Sequence, residues 1–319
     1  MIVLANDGIS EAGHQLLTSA GVKMLDAKVS QEHLISFIND NKVDVLLVRS
    51  ATKVKKDVID GCPHLKIIGR GGIGMDNIDV EYAIEKGLHI INTPKASARS
   101  VAELVFAHFL ALARFLHESN RIMPLEGDTH FKALKKSFSK AVELEGKTLG
   151  VIGFGGIGQE VIKIGISLGM KVKVLTRTPK TEKISLTFFD GQTVEFAVSS
   201  TNDMTVFLKD VEFLSINTPK SNDYIIDNAQ FKLMKDGVFI VNTARGGVLN
   251  EVTLLQAIED GKVAGAALDV FENEPNPELA LLMNPNLSLT PHLGGNTQDA
   301  QEKIGRELAE QIIELKKKL

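Results

Sequence analysis

The chain has 319 residues, room for two ordinary domains, and its 44% hydrophobic and 24% charged content is a globular balance with no disordered stretch expected. A net charge of −4 argues against a nucleic-acid or membrane surface, so a small anionic substrate needs a local basic pocket. One cysteine, Cys62, leaves no disulfide framework and makes a cysteine-based metal site unexpected, and no metal is expected here.

The N-terminal run MIVLA meets Asp7 almost at once and reads as a first strand over Ile2 to Ala5, not as a signal peptide. No apolar run approaches the roughly 18 residues of a membrane span, and a cytoplasmic protein is the expectation. Helical spacing follows over Glu11 to Ser19 and again over Gln31 to Phe37. Val43 to Val48 is a buried strand ending in Arg49-Ser50, and Lys66 to Ile68 begins another that runs into GRGGIGMDN. A short helix over Val80 to Lys86 and a strand over Leu88 to Ile91 close this series. Repeated strand–helix units imply a parallel sheet with helices on both faces and right-handed crossovers.

Ser97 to His117 is predicted as one long helix, with Val101, Leu104, Val105, Phe109, Leu110, Leu112 and Leu116 spreading beyond a single stripe. Such breadth suits burial between domains or a subunit interface, and a homodimer built partly on this helix is expected. Arg121 to Lys140 has many charges and no clear period, and is expected to wrap over a surface or a partner subunit.

A second α/β series runs from Thr148 to Pro291. Strands are predicted at Val172 to Leu175, Val211 to Asn217, Val238 to Asn242, Ala264 to Leu268 and Leu287 to Leu289, with helices at Gln230 to Met234 and Thr253 to Ile258. Ile184 to Ser199 breaks the pattern, because Asp190-Gly191 between β-formers signals a hairpin and not a helix. Asp299 to Lys317 is an amphipathic helix that either domain could own.

The second series opens on TLGVIGFGGIG, a strand followed by Gly153, Gly155 and Gly158 and then a helical pattern. Gly153 permits a tight turn, Gly155 lets the backbone approach a pyrophosphate, and Gly158 lets helix and strand pack closely. The helix N-terminus then presents free N–H groups to phosphates. In this context the turn predicts a dinucleotide site.

Three further residues stand after strands of the same series, where open α/β sheets bind ligands. Arg245 lies in NTARGG, Glu274 in DVFENEP and His292 in TPHLGG. An arginine can hold a carboxylate bidentately, a histidine can move a proton near neutrality, and a carboxylate can orient it. Together they suit hydride transfer between a nicotinamide and a 2-hydroxy or 2-keto acid. Singly, each also fits a surface ion pair, an exposed turn or a helix cap.

The motifs GRGGIGMDNID, NTPKASARSVAEL, ELEGKTLGVIGFGGIG, NTARGGVLNE, AALDVFENEP and TPHLGGNT, in that order, resemble the D-isomer-specific 2-hydroxyacid dehydrogenases along nearly the whole chain. Within that family VRSATKV resembles the members that oxidise D-3-phosphoglycerate, the first step of serine biosynthesis. The resemblance implies two doubly wound α/β domains, a Rossmann domain over residues 97–290 inserted in a flavodoxin-like substrate domain over 1–96 and 291–319. It implies Arg245, Glu274 and His292 as the catalytic three. The cofactor contacts expected are Gly153, Gly155, Gly156, Ile157, Gly158, Thr218, Thr243 and Ala244, with Thr176 and Arg177 after the second nucleotide-domain strand, and the resemblance implies Asp269 near the nicotinamide amide. Arg49, Ser50, Gly72, Ile73 and Gly74 are the implied substrate contacts. Rival readings are a glyoxylate or hydroxypyruvate reductase and a nucleotide-sensing binding protein.

Two departures from the family pattern stand out. NAD-using members usually place an acid after the second nucleotide-domain strand, whereas KVKVL leads here into Thr176-Arg177-Thr178. The expectation therefore leans to NADP or dual use, with NAD held through the Thr176 hydroxyl as the alternative. The chain also stops at Leu319, so no C-terminal regulatory domain is expected.

Overall fold

Short apolar runs become parallel strands here because both of their faces are covered, as in Val45–Val48, where all four residues are buried. A computed structural model describes all residues from Met1 to Leu319. It divides into two units, Met1–Ala98 with Gly295–Leu319, and Arg99–Gly294. The first unit runs β1 (Ile2–Ala5), α1 (Glu11–Ser19), β2 (Lys23–Leu25), α2 (Leu34–Asp40), β3 (Val45–Val48), α3 (Lys56–Gly61), β4 (Ile67–Arg70), α4 (Val80–Glu85) and β5 (His89–Asn92). Its sheet has the order β2-β1-β3-β4-β5, all parallel, the doubly wound flavodoxin-like order. Periodicity did not predict β2 or α3, which have only three and six residues. Leu4, Leu46, Val48 and Ile68 pack to one side with Leu34, Ile38, Val58 and Ala83 of α2, α3 and α4.

The second unit takes α5 (Ala98–Ala113), α6 (Leu116–Glu126), α7 (Phe131–Ser137), β6 (Thr148–Ile152), α8 (Gly156–Ser167), β7 (Lys171–Leu175), β8 (Thr181–Thr187), β9 (Thr193–Thr201) and α9 (Met204–Leu208). It continues with β10 (Phe213–Ile216), α10 (Asn228–Leu233), β11 (Val238–Asn242), α11 (Glu251–Glu259), β12 (Val263–Leu268), α12 (Leu279–Leu282) and β13 (Leu287–Leu289). The sheet order is β13-β12-β11-β10-β6-β7-β9-β8, parallel throughout except for β8 against β9. That is the Rossmann order with an added antiparallel edge. The hairpin expected from Asp190-Gly191 is present as β8 and β9, and Gly191 supplies the positive φ of its turn. β9 meets β7 at only two register pairs, so most of the hairpin extends beyond the body of the sheet.

The single helix expected over Ser97 to His117 is two helices. Phe115 adopts φ 52°, which breaks the i→i−4 ladder, and α6 leaves at 55° to α5. Contacts on the far side of the break explain it: the Phe115 ring packs on Phe138 at 5.7 Å, and His117 Nε2 reaches the Pro285 carbonyl at 3.1 Å. The apolar pattern continues across the break, so periodicity alone does not reveal it. Val105, Phe106, Phe109 and Leu112 of α5 are buried with Val151, Val174 and Val241 of the sheet. No single helix is long and apolar enough to cross a membrane. Arg121 to Lys140, which showed no period, forms the end of α6, then α7 and a 3₁₀ turn.

The C-terminal helix α13 (Gln298–Lys316) belongs to the first unit. Ile304, Leu308, Ala309 and Ile312 line its inner face and share a core with Val3, Leu17, Val45 and Leu47. Lys316 Nζ ties its end to the Ala20 carbonyl at 2.6 Å.

Candidate active site

β6 stands at the middle of its sheet between β10 and β7, the point where the strand order reverses and where such sheets bind nucleotides. Gly153 leaves β6 with φ +100°, and its α-carbon faces the Asn217 carbonyl too closely to carry a side chain. Gly158 is held equally close to the Gly153 carbonyl, which seats α8 on the turn. Gly155 caps α8 with no side-chain partner and faces open space, so the N–H groups of Gly156, Ile157 and Gly158 point outward from a bare helix N-terminus. Asn217 Oδ1 and Thr218 Oγ1 beside this turn, and Thr243 Oγ1 after β11, are buried without a hydrogen-bond partner. Buried polar atoms are normally paired, so this set, beside a turn that excludes side chains, fits a bound dinucleotide.

Arg245, Glu274 and His292 sit in the loops that follow β11, β12 and β13, three neighbouring strands. Glu274 and His292 meet: Nδ1 of the ring lies 3.1 Å from Glu274 Oε2. Glu274 Oε1 accepts the Phe271 N–H at 3.0 Å, so both carboxylate oxygens are fixed. Arg245 is half-buried, and its Nη1 donates to the Ala244 carbonyl; Asn242 Nδ2 donates to the Arg245 carbonyl at 3.1 Å.

His292 has φ 55°, a left-handed conformation that costs a non-glycine residue about 1–3 kcal/mol. Asp269 holds it there. This buried carboxylate accepts from Thr290 Oγ1 at 2.6 Å, from Leu293 N at 2.6 Å and from Gly294 N at 2.9 Å, while its carbonyl accepts the His292 N–H at 2.9 Å. Thr290 spends its one hydroxyl proton on Asp269, so it must accept from His108 Nε2–H, 3.2 Å away. His108 Nδ1 then accepts from Ser288 Oγ at 3.0 Å. Burial pushes the His108 pKa down, against the pull of the Asp269 charge, so the ring favours its neutral form. His108 and Thr290 carried no signal in the sequence, since a histidine on an apolar helix and a threonine before a proline are both common.

At the end of β7 no carboxylate is present. The Thr176 hydroxyl donates to the Thr178 carbonyl at 2.9 Å and meets Ser200 Oγ at 2.7 Å, while Arg177 is exposed. Lys180 Nζ lies 5.3 Å over the Phe154 ring of the glycine turn and pairs with Glu182 at 2.9 Å. In the first unit Arg49 and Ser50 follow β3, and Gly72, Ile73 and Gly74 follow the adjacent β4. Asp7 accepts from Arg49 N at 2.6 Å, Thr52 N at 3.1 Å and Thr52 Oγ1 at 2.7 Å. Asn77 Nδ2 binds the Arg49 and Thr52 carbonyls from the other side, and Asn92 Nδ2 binds the Ile73 carbonyl. Both loops are therefore rigidly placed, and neither Asp7 nor Asn77 was singled out from the sequence.

A family model described as D-isomer specific 2-hydroxyacid dehydrogenase, NAD binding domain, matches residues 106–294. A hydroxypyruvate reductase of Thermotoga maritima is 42% identical over 98% of this chain and 97% of its own length. A D-3-phosphoglycerate dehydrogenase of Methanocaldococcus jannaschii is 40% identical over 97% of this chain, which spans 56% of that protein. The solved glyoxylate reductase from Paecilomyes thermophila superimposes with a TM-score of 0.80 at 28% identity, covering 98% of this chain and 93% of its own.

Proposed function

The chain belongs to the D-isomer-specific 2-hydroxyacid dehydrogenase family and is an NAD(P)-dependent enzyme; from that premise we propose that Arg245, Glu274 and His292 bind a three-carbon D-2-hydroxy acid and move its hydroxyl proton while hydride passes between C2 and the dinucleotide. The observation that carries this is the 3.1 Å contact between His292 Nδ1 and Glu274 Oε2. A carboxylate only accepts, so Nδ1 bears the proton and Nε2 of the neutral ring is the basic nitrogen. In the oxidative direction Nε2 takes the C2 hydroxyl proton, and in reduction the imidazolium returns it. Glu274 offsets the positive charge that the ring then carries. Arg245 grips the substrate carboxylate and polarises the adjacent carbonyl oxygen.

The glycine turn, the α8 N-terminus and the unpaired Thr218 and Thr243 hydroxyls hold the dinucleotide on this reading, with Asp269 and Ala244 nearby. A nicotinamide dinucleotide bound there supplies the hydride acceptor for oxidation and the hydride donor for reduction. For its class, the exposed Arg177 and the missing carboxylate after β7 favour NADP or dual use.

For the substrate, the pair hydroxypyruvate and D-glycerate is supported by the Thermotoga relative, which matches over its full length. D-3-phosphoglycerate is the second reading, supported by the Methanocaldococcus relative and by Arg49, with Lys53 four residues on. A homodimer is supported by apolar side chains that the second unit leaves exposed on α5 to α7: Leu110, Leu116, Leu125 and Phe131.

A panel of 2-keto acids assayed with both reduced cofactors decides between the substrates. If a phosphate is recognised, Arg49→Ala weakens phosphoglycerate far more than an unphosphorylated analogue; equal losses remove the phosphate pocket. Arg177→Asp should move cofactor preference toward NAD by removing a charge partner and adding an acceptor for the ribose hydroxyl. A wild-type enzyme that binds NAD much tighter than NADP in titration would refute that role. Light scattering at micromolar concentration should give the mass of two chains, and a single-chain mass would count against the dimer.

A further inference from the structure

Two loops must keep one spacing for this chemistry, the one after β11 with Arg245 and the one after β12 with Glu274. They are joined by two carboxylates that the reaction does not use. Glu251, the first residue of α11, is 6% exposed. Its Oε1 accepts the Glu272 N–H at 2.8 Å, and Glu272 Oε1 accepts the Glu251 N–H at 3.0 Å. Tyr224 OH donates to the other Glu272 oxygen at 3.1 Å. Beside this pair, Gly246 rests so closely on the Phe271 carbonyl that no Cβ fits. The N–H of the same Phe271 holds Glu274 Oε1. A continuous path therefore leads from Arg245 through Gly246 and Phe271 to Glu274 and on to His292.

Capping does not account for Glu251. Asn250 already caps α11, accepting from Val252 N at 3.1 Å and Thr253 N at 3.2 Å. The Glu251 carboxylate turns away from its helix to the neighbouring loop, at a cost. Burial first, then the charges of Glu272, Glu278 and Glu274, push its pKa up to about 7, while the Glu272 N–H pulls the other way. A merely stabilising position would favour a neutral side chain there.

We propose that Glu251 and Glu272 are positioning residues, whose reciprocal clasp fixes the Arg245 loop against the Glu274 loop and so sets the spacing between the substrate-binding cation and the proton-transfer pair. The proposal rests on the catalytic roles assigned above to Arg245, Glu274 and His292.

The clasp has a pH signature. The folded pKa of Glu251 lies above its ordinary 4.5, so folding binds a proton. Its contribution to stability is complete below about pH 4.5 and is lost as pH rises through about 7. The other ionisable groups facing the cluster are Tyr224 and Asp227 before α10 and Glu272, Glu274 and Glu278 on the β12 side. Glu251→Gln keeps the acceptor oxygen and loses the charge, so its melting temperature should exceed that of wild type above pH 7 and converge with it near pH 5.

The experiment is steady-state kinetics of Glu251→Ala, Glu251→Gln, Glu272→Ala and the Glu251→Ala/Glu272→Ala double variant with the best keto acid of the panel. Dinucleotide Kd is measured in parallel by reduced-nicotinamide fluorescence. Either alanine change should lower kcat/KM about tenfold or more, and the double should be no worse than the worse single, because the two residues act as one unit. Dinucleotide Kd should stay within about twofold of wild type, and Glu251→Gln should restore kcat/KM. Glu272 is exposed, so Glu272→Ala carries the test if the buried change prevents folding. Wild-type kcat/KM in the alanine variants, while Arg245→Ala is inactive, overturns the clasp and leaves the catalytic reading standing. Wild-type kcat/KM in Arg245→Ala overturns both.

Discussion

The buried carboxylate of Asp269 is the constraint on which the site depends. It follows β12, a strand buried at every position but Ala264, and gathers the donors of Thr290, Leu293 and Gly294. Without it, a histidine at φ 55° between a proline and a leucine loses most of what holds it out of the ordinary backbone regions. A buried acid is expensive unless its oxygens are satisfied. Here satisfying them and shaping the loop are the same act. The His108–Thr290 relay extends the order to α5, which packs on the same sheet. The His292–Glu274 pair thus inherits its placement from the core and not from the exposed loop in which it lies.

The glycine turn follows the same logic with the opposite means. Where Asp269 adds donors and acceptors, Gly153, Gly155 and Gly158 remove atoms, so that backbone can approach backbone and the α8 N-terminus stays bare. The Thr218 hydroxyl beside that gap and the Thr243 hydroxyl after β11 are left unpaired, which fits completion by a bound group. The glycine turn and the loops of Arg245, Glu274 and His292 all stand at the carboxyl ends of one parallel sheet, which is why strand order in the second unit matters more than any single motif.

Much of this was legible in the sequence, and the exceptions have physical causes. Parallel strands buried on both faces leave plain apolar runs, so β11 was found at its limits, while β3 and β10 were found but drawn too long, chiefly by the residues before Val45 and Phe213. The Asp190-Gly191 turn announced its hairpin. By contrast, β2 and α3 are too short to show a period, and the break at Phe115 is imposed by contacts with Phe138 and Pro285 far along the chain. Arg245, Glu274 and His292 stood out because each follows a strand and carries reactive chemistry, and the structure sets them after three neighbouring strands. The residues that place them were hidden. Glu251 looks like an ordinary acid in the first turn of a helix, and nothing local shows that it turns toward Glu272, 21 residues on. Asp269 was expected beside the nicotinamide, while its hold on the 290–294 loop appears only with the fold.

The most direct measurement is the turnover number of His292→Ala beside its dinucleotide affinity, both on the purified protein. A positioned acid–base group typically contributes about 10²–10⁴ in rate, so kcat should fall by that range. Because the dinucleotide turn is built from Gly153 to Gly158, its Kd should stay within about twofold of wild type. Near-normal turnover in the variant would contradict the account, because the His292–Glu274 contact would then be a surface ion pair and not the proton-transfer device.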